Sequence, residues 1–221
     1  MDDNDQSIIL ETRGLSKHYG GVVALEGANL ILRKAEHIAI VGDNGAGKST
    51  FVRNITGVEQ LIGSGYGDTL SGNSSGNTLS GGGGNDTIDG NGGSDAIYAG
   101  GGNDIIRFDA SDSVINGGAG TDSAILDNPG TGVSINTNLF SGIEQVTLGN
   151  ANDTISITTG GYNISSINGG AGIDTINAAG AATGQTIGST TGIENIYGSS
   201  YSDNITGDSS NNTLTGGGGN D

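Results

Sequence analysis

The amino-acid sequence predicts an all-β chain: a parallel β-roll or β-helix solenoid of glycine/aspartate nonapeptides, preceded by a truncated α/β P-loop fragment. Three observations carry this. Aliphatic residues recur every nine positions, aspartate recurs at the same spacing behind glycine-rich turns, and the composition changes abruptly near residue 56. Residues 1–56 hold six of the seven basic residues and seven acids, a net of −1. Residues 57–221 hold Arg107 alone against seventeen acids, a net of −16, and 38 of the 45 glycines. Such a break separates two physical regimes. It sets the first boundary of four segments: a fragment over 1–56, then repeat modules over 57–140, 141–190 and 191–221, the last truncated.

Composition excludes several classes of function. With 32% hydrophobic and 4% aromatic residues, an ordinary core would be thin. Glycine loses the most backbone entropy on folding, so the chain needs stabilisation from elsewhere. A net charge of −17 argues against nucleic acid and anionic membranes as partners. It favours recruitment of cations. No cysteine is present, which excludes disulfides and thiolate metal sites. No apolar run reaches membrane-spanning length. The opening Met1-Asp2-Asp3-Asn4-Asp5 has neither the basic start nor the apolar core of a secretory signal.

The first segment reads as α/β sequence. Strand character runs over Ile8 to Leu15, Val22 to Leu32 and His37 to Val41, then a glycine loop and a helix near Lys48 to Ile55. The loop, Gly42-Asp43-Asn44-Gly45-Ala46-Gly47-Lys48-Ser49-Thr50, fits the Walker A pattern. Its backbone N–H groups suit phosphate oxygens, Lys48 the β/γ oxygens and Ser49 a Mg²⁺ ion. Gly42, Asn44, Gly45, Gly47, Lys48, Ser49 and Thr50 are therefore the cofactor-binding candidates. Together with Leu15-Ser16-Lys17-His18-Tyr19-Gly20, residues 7–57 resemble the first third of an ABC transporter ATPase of the sugar-importer type. The resemblance implies ATP with Mg²⁺, Tyr19 stacked on adenine, a permease partner and a cytoplasmic location. It ends there, with no Q-loop, Walker B run or switch histidine beyond His37. Leu79-Ser80-Gly81-Gly82 imitates the start of the ABC signature but lies on the nonapeptide register, and reads as repeat. Without Walker B nothing supplies the second Mg²⁺ ligand or orients water, so no enzymatic activity is expected. Nucleotide binding is the alternative function.

The second segment has period nine. Aliphatic residues stand at Leu61, Leu70, Leu79, Ile88, Ile97, Ile106 and Ile115, with Ala124 continuing. Seven residues after each come Asp68, Asn77, Asp86, Asp95, Asp104, then Ser113 where the pattern lapses, then Asp122. The register returns at Ile167 with Asp174, and at Ile196, Ile205 and Leu214 with Asp203, Asn212 and Asp221. An apolar–x–apolar strand places one aliphatic inward per repeat, and no repeat buries its aliphatic alone, so neighbours must stack. Turns rich in backbone carbonyls and ending in aspartate offer the oxygen ligands Ca²⁺ prefers.

This pattern resembles the haemolysin-type (RTX) repeat, glycine-glycine-x-glycine-x-aspartate-x-aliphatic-x. The resemblance implies two nonapeptides per turn of a parallel β-roll, with several Ca²⁺ ions between turn loops on the same edge. Aspartate carboxylates and loop carbonyls would be the ligands. It points to Gly81, Gly83, Asp86, Asp95, Gly100, Gly102, Asp104, Gly117, Ala119, Asp122, Asp174 and Asp221. Loops 81–86, 99–104 and 117–122 should share one edge, with Asp86, Asp104 and Asp122 the best carboxylates. The opposite edge is weaker, because loop 72–77 ends without an acid and 108–113 has no glycine. A roll metallated strongly on one edge only is expected. The family further implies a structural or carrier segment of an exported bacterial protein, attached to a protease, lipase or adhesin. Its location would be extracellular, with cell-surface or extracellular partners.

A longer phrase recurs as well: Gly57-Val58-Glu59-Gln60-Leu61, Gly142-Ile143-Glu144-Gln145-Val146 and Gly192-Ile193-Glu194-Asn195-Ile196, each opening a module. The glutamates of this pentapeptide read as structural, such as turn caps, rather than catalytic. Residues 125–140 and 177–190 break the register, as β-helical turns without metal or as loops. The ABC-like phrase Ile55-Thr56-Gly57-Val58 overlaps the first pentapeptide on Gly57-Val58. This suggests an illegitimate fusion, a chimera formed there by recombination or misassembly. His18 and His37 are read as solvated or strand residues rather than ligands.

Overall fold

The computed structural model describes residues 8–19, 22–33, 51–53, 59–127, 130–158 and 164–221. Strands β1 (Ile8–Tyr19) and β2 (Val22–Arg33) form an antiparallel hairpin, paired from Ile8↔Arg33 to Tyr19↔Val22. They contain both strands expected there. Tyr19 closes the hairpin. The strand expected over His37 to Val41 and the phosphate loop with Gly42, Asn44, Gly45, Gly47, Lys48, Ser49 and Thr50 lie outside the described residues.

From residue 51 onward all strand pairing among the described residues is parallel. Strands β3 (Phe51–Arg53), β4 (Gln60–Ile62), β5 (Thr69–Ser71), β6 (Thr78–Gly83), β7 (Thr87–Asp89), β8 (Ala96–Gly101), β9 (Ile105–Phe108), β10 (Val114–Ala119) and β11 (Ser123–Leu126) alternate between two sheets. One sheet takes the odd members and the other the even members. Partners stand eighteen residues apart: Leu61↔Leu79, Leu79↔Ile97 and Ile97↔Ile115 in one sheet, Leu70↔Ile88 and Ile88↔Ile106 in the other. Two nonapeptides therefore make one turn, and the chain is a β-solenoid whose longest sheet has eight strands.

The helix expected over Lys48 to Ile55 is corrected at its centre. Phe51, Val52 and Arg53 form β3 and pair with Thr69, Leu70 and Ser71. Val52 lies nine residues before Leu61, so it stands on the repeat register ahead of the expected boundary at 56. A helix this short is marginal on its own. The edge of β5 offers unpaired N–H and C=O groups to a segment of aromatic and β-branched residues.

Beyond Leu126 the turns widen. Ile115 pairs with Phe140, Ala124 with Val146, Val146 with Ile167 and Ile167 with Thr190, spacings of 25, 22, 21 and 23 residues. Spacing returns to eighteen at Ile187↔Ile205 and Ile196↔Leu214. The two segments that break the register carry short strands, Ser134–Asn136 and Thr186–Ile187, and a 3-10 turn, Thr137–Leu139. They are solenoid turns with inserted residues. Phe108 and Phe140 meet edge-on there, with centroids 5.3 Å apart.

From β4 onward each three-residue strand buries its central residue, except the last, Thr213–Thr215, where Leu214 is exposed, so the core is a stack of single aliphatics. Leu70, Leu79, Ile88, Ile97, Ile106 and Ile115 are at most 1% exposed. Ile105, one position along, is 43% exposed, because a strand sends successive side chains to opposite faces. Ile106→Ala should cost about 2–5 kcal/mol in urea unfolding of the folded chain. Ile105→Ala should stay within about 0.5 kcal/mol. Equal losses at the two positions would overturn this register.

Candidate metal centre

The aspartates that end the turns from Asp68 to Asp203 are buried, because each shares the inward face with the aliphatic that follows it. Their Oδ1 atoms accept from the backbone N–H groups of the corresponding residues one turn earlier. On the first edge Asp68 N–H donates to Asp86 at 2.7 Å, Asp86 to Asp104 at 2.7 Å and Asp104 to Asp122 at 2.8 Å. Asp122 N–H then donates to Glu144 Oε2 at 2.8 Å. On the opposite edge Asn77 donates to Asp95 at 2.6 Å and Asp95 to Asp112 at 3.0 Å. Later turns repeat the arrangement. Asp153 N–H donates to Asp174 at 2.7 Å, Asp174 to Glu194 Oε2 at 2.8 Å and Asp203 to Asp221 at 2.9 Å. A second ladder runs one residue earlier, Asn103 N–H to Asn85 Oδ1 and Thr121 N–H to Asn103 Oδ1, both at 2.9 Å.

These bonds use one carboxylate oxygen. The other, Oδ2, is buried and without a hydrogen-bond partner in Asp86, Asp95, Asp104, Asp122 and Asp174. An unpaired buried carboxylate oxygen costs free energy unless a proton or cation meets it. Burial pushes the pKa of Asp86 and Asp174 up to about 6, against the lowering effect of the backbone N–H each accepts, with neighbouring carboxylates adding to the rise. Burial likewise raises Asp95, Asp104 and Asp122.

Other oxygens converge on the same points. A methyl group on Gly81 would overlap Asp86 Oδ2 and stand 2.5 Å from the carbonyl oxygen of Ala99. One on Gly117 would overlap the Gly142 carbonyl and stand 2.6 Å from Asp122 Oδ2. One on Gly169 would meet the Gly192 carbonyl and Asp174 Oδ2 in the same way. Among the described residues no three His, Cys, Asp or Glu side chains gather to hold a metal. A cation here must therefore draw most of its ligands from backbone carbonyls around one or two carboxylates. That donor set is hard, all oxygen and backbone-rich, and it fits Ca²⁺.

The structure brings Asp86, Asp104 and Asp122 together in one column, with Gly81 and Gly117 beside their carboxylates. Gly100 and Gly102 take positive φ, 113° and 126°, where the backbone of the preceding turn approaches. Gly83 N–H donates to the Ser64 carbonyl at 2.9 Å, and the Ala119 carbonyl accepts from Gly102 N–H at 2.8 Å. Asp95, in the column of Asn77 and Asp112, has an open oxygen, as does Asp174 in a column with Asp153 and Glu194. Asp221 accepts from Asp203 N–H and is exposed. Asp112, not Ser113, occupies the column beyond Asp95: it lies one residue early in a turn of unchanged length, since Ile97 and Ile115 still pair eighteen apart and Ser113 N–H donates to the Asp95 carbonyl at 2.8 Å. Asp109 N–H holds its Oδ2 at 2.9 Å, and burial pushes its pKa up to about 7. Glu144 and Glu194, which the recurring pentapeptide sets apart from the nonapeptides, fill the aspartate position. They stand nine residues before Asp153 and Asp203, a spacing visible in the sequence.

Comparison with known proteins finds two families along the chain. Residues 71–106 and 189–221 match the family model for the RTX calcium-binding nonapeptide repeat, and residues 25–82 match that for the ABC transporter. The two matches overlap on 71–82, where Leu79-Ser80-Gly81-Gly82 lies within β6, and Leu79 is buried and paired with Ile97. The chain is 47% identical over 58 residues to the galactofuranose transporter ATP-binding protein YtfR of Escherichia coli (strain K12), covering 26% of this chain and 12% of that protein. It is 50% identical over 52 residues to the fructose import ATP-binding protein FrcA of Rhizobium meliloti, covering 24% and 20%. It is 47% identical over 51 residues to the xylose/arabinose import ATP-binding protein XylG of Sulfolobus acidocaldarius, covering 23% and 20%. The chain thus spans a fifth or less of the length of these relatives. No solved structure matches it. The chain carries RTX calcium-binding nonapeptide repeats, behind a short segment similar to the ATP-binding proteins of sugar importers.

Proposed function

We propose that residues 57–221 are a calcium-folded structural or carrier segment of an exported protein, working where calcium is plentiful. The observation that supports this most is the set of five buried carboxylate oxygens left without partners, those of Asp86, Asp122 and Asp174 beside a carbonyl of the neighbouring turn. Asp86, Asp95, Asp104, Asp122 and Asp174 would hold the ions. Calcium supplies positive charge and a demand for many oxygen ligands. The chain's contribution is to aim carbonyls and to fix each carboxylate through Oδ1. Among the described residues no helix is long and apolar enough to cross a membrane. Modules that bind calcium weakly suit extracellular concentrations rather than cytosolic ones.

A second reading, nucleotide binding at Gly42 to Thr50, is favoured by the identity to transporter ATP-binding proteins. We propose that it involves no hydrolysis, because no Walker B carboxylate follows. Retention of the chain on an ATP matrix, lost in Lys48→Ala, would support this reading.

Without metal, sixteen net negative charges on the repeats oppose compaction, and binding free energy should appear as folding free energy. Far-UV circular dichroism should show a coil-to-β transition at sub-millimolar to millimolar calcium and none with magnesium. A flat response from a disordered chain would remove the calcium-folding reading. Asp104→Ala should lower the number of ions bound in calorimetry more than Asp95→Ala, since Asp104 lies between two open neighbours.

The pH dependence has a definite sign. Asp86 and Asp174 are raised from 3.8 to about 6, and Asp112 to about 7. The folded metal-free chain thus binds protons that the unfolded chain has released, and its stability rises as pH falls from 7 toward 4. Calcium must displace the protons on Asp86 and Asp174, so its affinity should fall over the same range. Circular dichroism with chelator at pH 7.5 and pH 5 should show more β-structure at the lower pH. Less structure there would reverse the assignment.

A further inference from the structure

The turn aspartates fall into two groups that the presence of aspartate does not explain. In the first group Oδ2 is open: Asp86, Asp95, Asp104, Asp122 and Asp174. Four residues before each stand Gly82, Asn91, Gly100, Gly118 and Gly170, and every one has positive φ, at 104°, 61°, 113°, 97° and 88°. In that conformation the N–H of this residue does not reach the carboxylate. Asn91 N–H goes to Asp89 Oδ1 at 2.9 Å, and Gly170 N–H to Asn168 Oδ1 at 3.1 Å.

In the second group the same position closes on the side chain. Ser64 N–H donates to Asp68 Oδ2 at 2.5 Å and its hydroxyl at 2.9 Å. Ser199 N–H donates to Asp203 Oδ2 at 2.7 Å and its hydroxyl at 3.0 Å. Neither serine has positive φ, nor has Gly149, whose N–H donates to Asp153 Oδ2 at 3.1 Å, so the left-handed backbone is what the open turns share. Glycine reaches that conformation freely and asparagine tolerates it, whereas serine with its Cβ resists it.

The rest of the site is nevertheless built at these two turns. A methyl group on Gly63 would overlap the Gly81 carbonyl and stand 2.7 Å from Asp68 Oδ2. One on Gly198 would overlap the Gly216 carbonyl and stand 2.6 Å from Asp203 Oδ2. These are the convergences seen at Gly81, Gly117 and Gly169. Only the carboxylate oxygen is already taken, by two donors.

We infer that the residue four positions before each turn aspartate selects which turns take calcium, and that Ser64 and Ser199 close the Asp68 and Asp203 turns to it. This rests on the calcium reading above. A left-handed residue leaves Oδ2 for the ion, and a serine supplies donors in the ion's place. The repeat segment thereby holds turns that fold without metal beside turns that need it. Asp68 begins the first column, and Asp203 lies in the last module.

The test is a gain of binding. Calcium stoichiometry of the full chain is measured by calorimetry and by equilibrium dialysis for the native chain, Ser64→Gly and Ser199→Gly. Each variant should bind one more calcium ion than the native chain, and the double variant two more. Adding Asp68→Asn to Ser64→Gly should return the count to the native value, which locates the gain at that turn. If the native chain binds calcium and both variants keep its stoichiometry and its circular dichroism spectrum, the selection rule is overturned. If the native chain binds none, the calcium reading itself fails. A folding defect in one variant leaves the other as the test, because they lie in different modules.

Discussion

The structure depends on a single hydrogen bond repeated along each edge: a buried carboxylate oxygen accepting the backbone N–H of its counterpart one turn earlier. Strand ladders of three residues leave the N–H at the turn's end without a backbone acceptor. Asp86, Asp104 and Asp122 supply one each, at 2.7–2.8 Å. This bond ties the aspartate spacing to the turn length, and it drags a charged group into the interior. Leu79 or Ile97 alone buries too little surface to offset the ordering of nine residues. The carboxylate ladder therefore works with the aliphatic stack, each making the other's spacing necessary. Stability accrues between neighbours, as in other solenoids.

Much of this is legible in the sequence. The nine-residue aliphatic series from Leu61 to Ala124 names the buried column, and alternation of loops correctly places 81–86, 99–104 and 117–122 on one edge. The ladder role of the pentapeptide glutamates is legible in principle, since Glu144 and Glu194 lie nine residues before Asp153 and Asp203. The distinct wording of Gly-Ile-Glu conceals that these glutamates occupy aspartate positions. Three features are not legible. Asp112 replaces Ser113 although the turn keeps its length, because the N–H groups of Asp95 and Asp109 hold it one residue before the register position, which a spacing of nine does not reveal. Phe51 to Arg53 follows a phosphate-loop phrase whose pattern implies a helix, and the open edge of β5 decides otherwise. Backbone conformation at the turn does not follow from identity alone. Gly82 and Gly149 are both four before an aspartate, yet Gly149 N–H donates to Asp153 Oδ2 at 3.1 Å while Asp86 Oδ2 stays open.

The junction of the two segments is a matter of register as well as composition. Val52, Leu61, Leu70 and Leu79 are equally spaced, and the pairs Val52↔Leu70 and Leu61↔Leu79 belong to the two sheets of the roll. Similarity to transporter proteins extends over 25–82, across residues that pair as solenoid strands. Leu79-Ser80-Gly81-Gly82 lies within that range and is at the same time a repeat. Its leucine is buried, and Gly81 stands against a carboxylate that any side chain would meet. Where a short phrase satisfies two patterns, the neighbours that pair with it decide its structure.

The ladder also explains why charge accumulates where an acidic chain would least tolerate it. Each carboxylate has one oxygen committed to a peptide N–H, so its column cannot disperse without unpairing the backbone. The remaining oxygen must be neutralised by a proton, a hydrogen-bond donor or a cation, and this chain uses donors at Asp68, Asp112, Asp153 and Asp203. At Asp86, Asp104 and Asp122 no donor is provided, and these three are consecutive on one edge. On the calcium reading, an ion at one of them fixes a carboxylate whose other oxygen holds the adjacent turn. Occupancy and turn order are then linked through one side chain, and the metal-requiring stretch would fold as a unit between turns that are already closed.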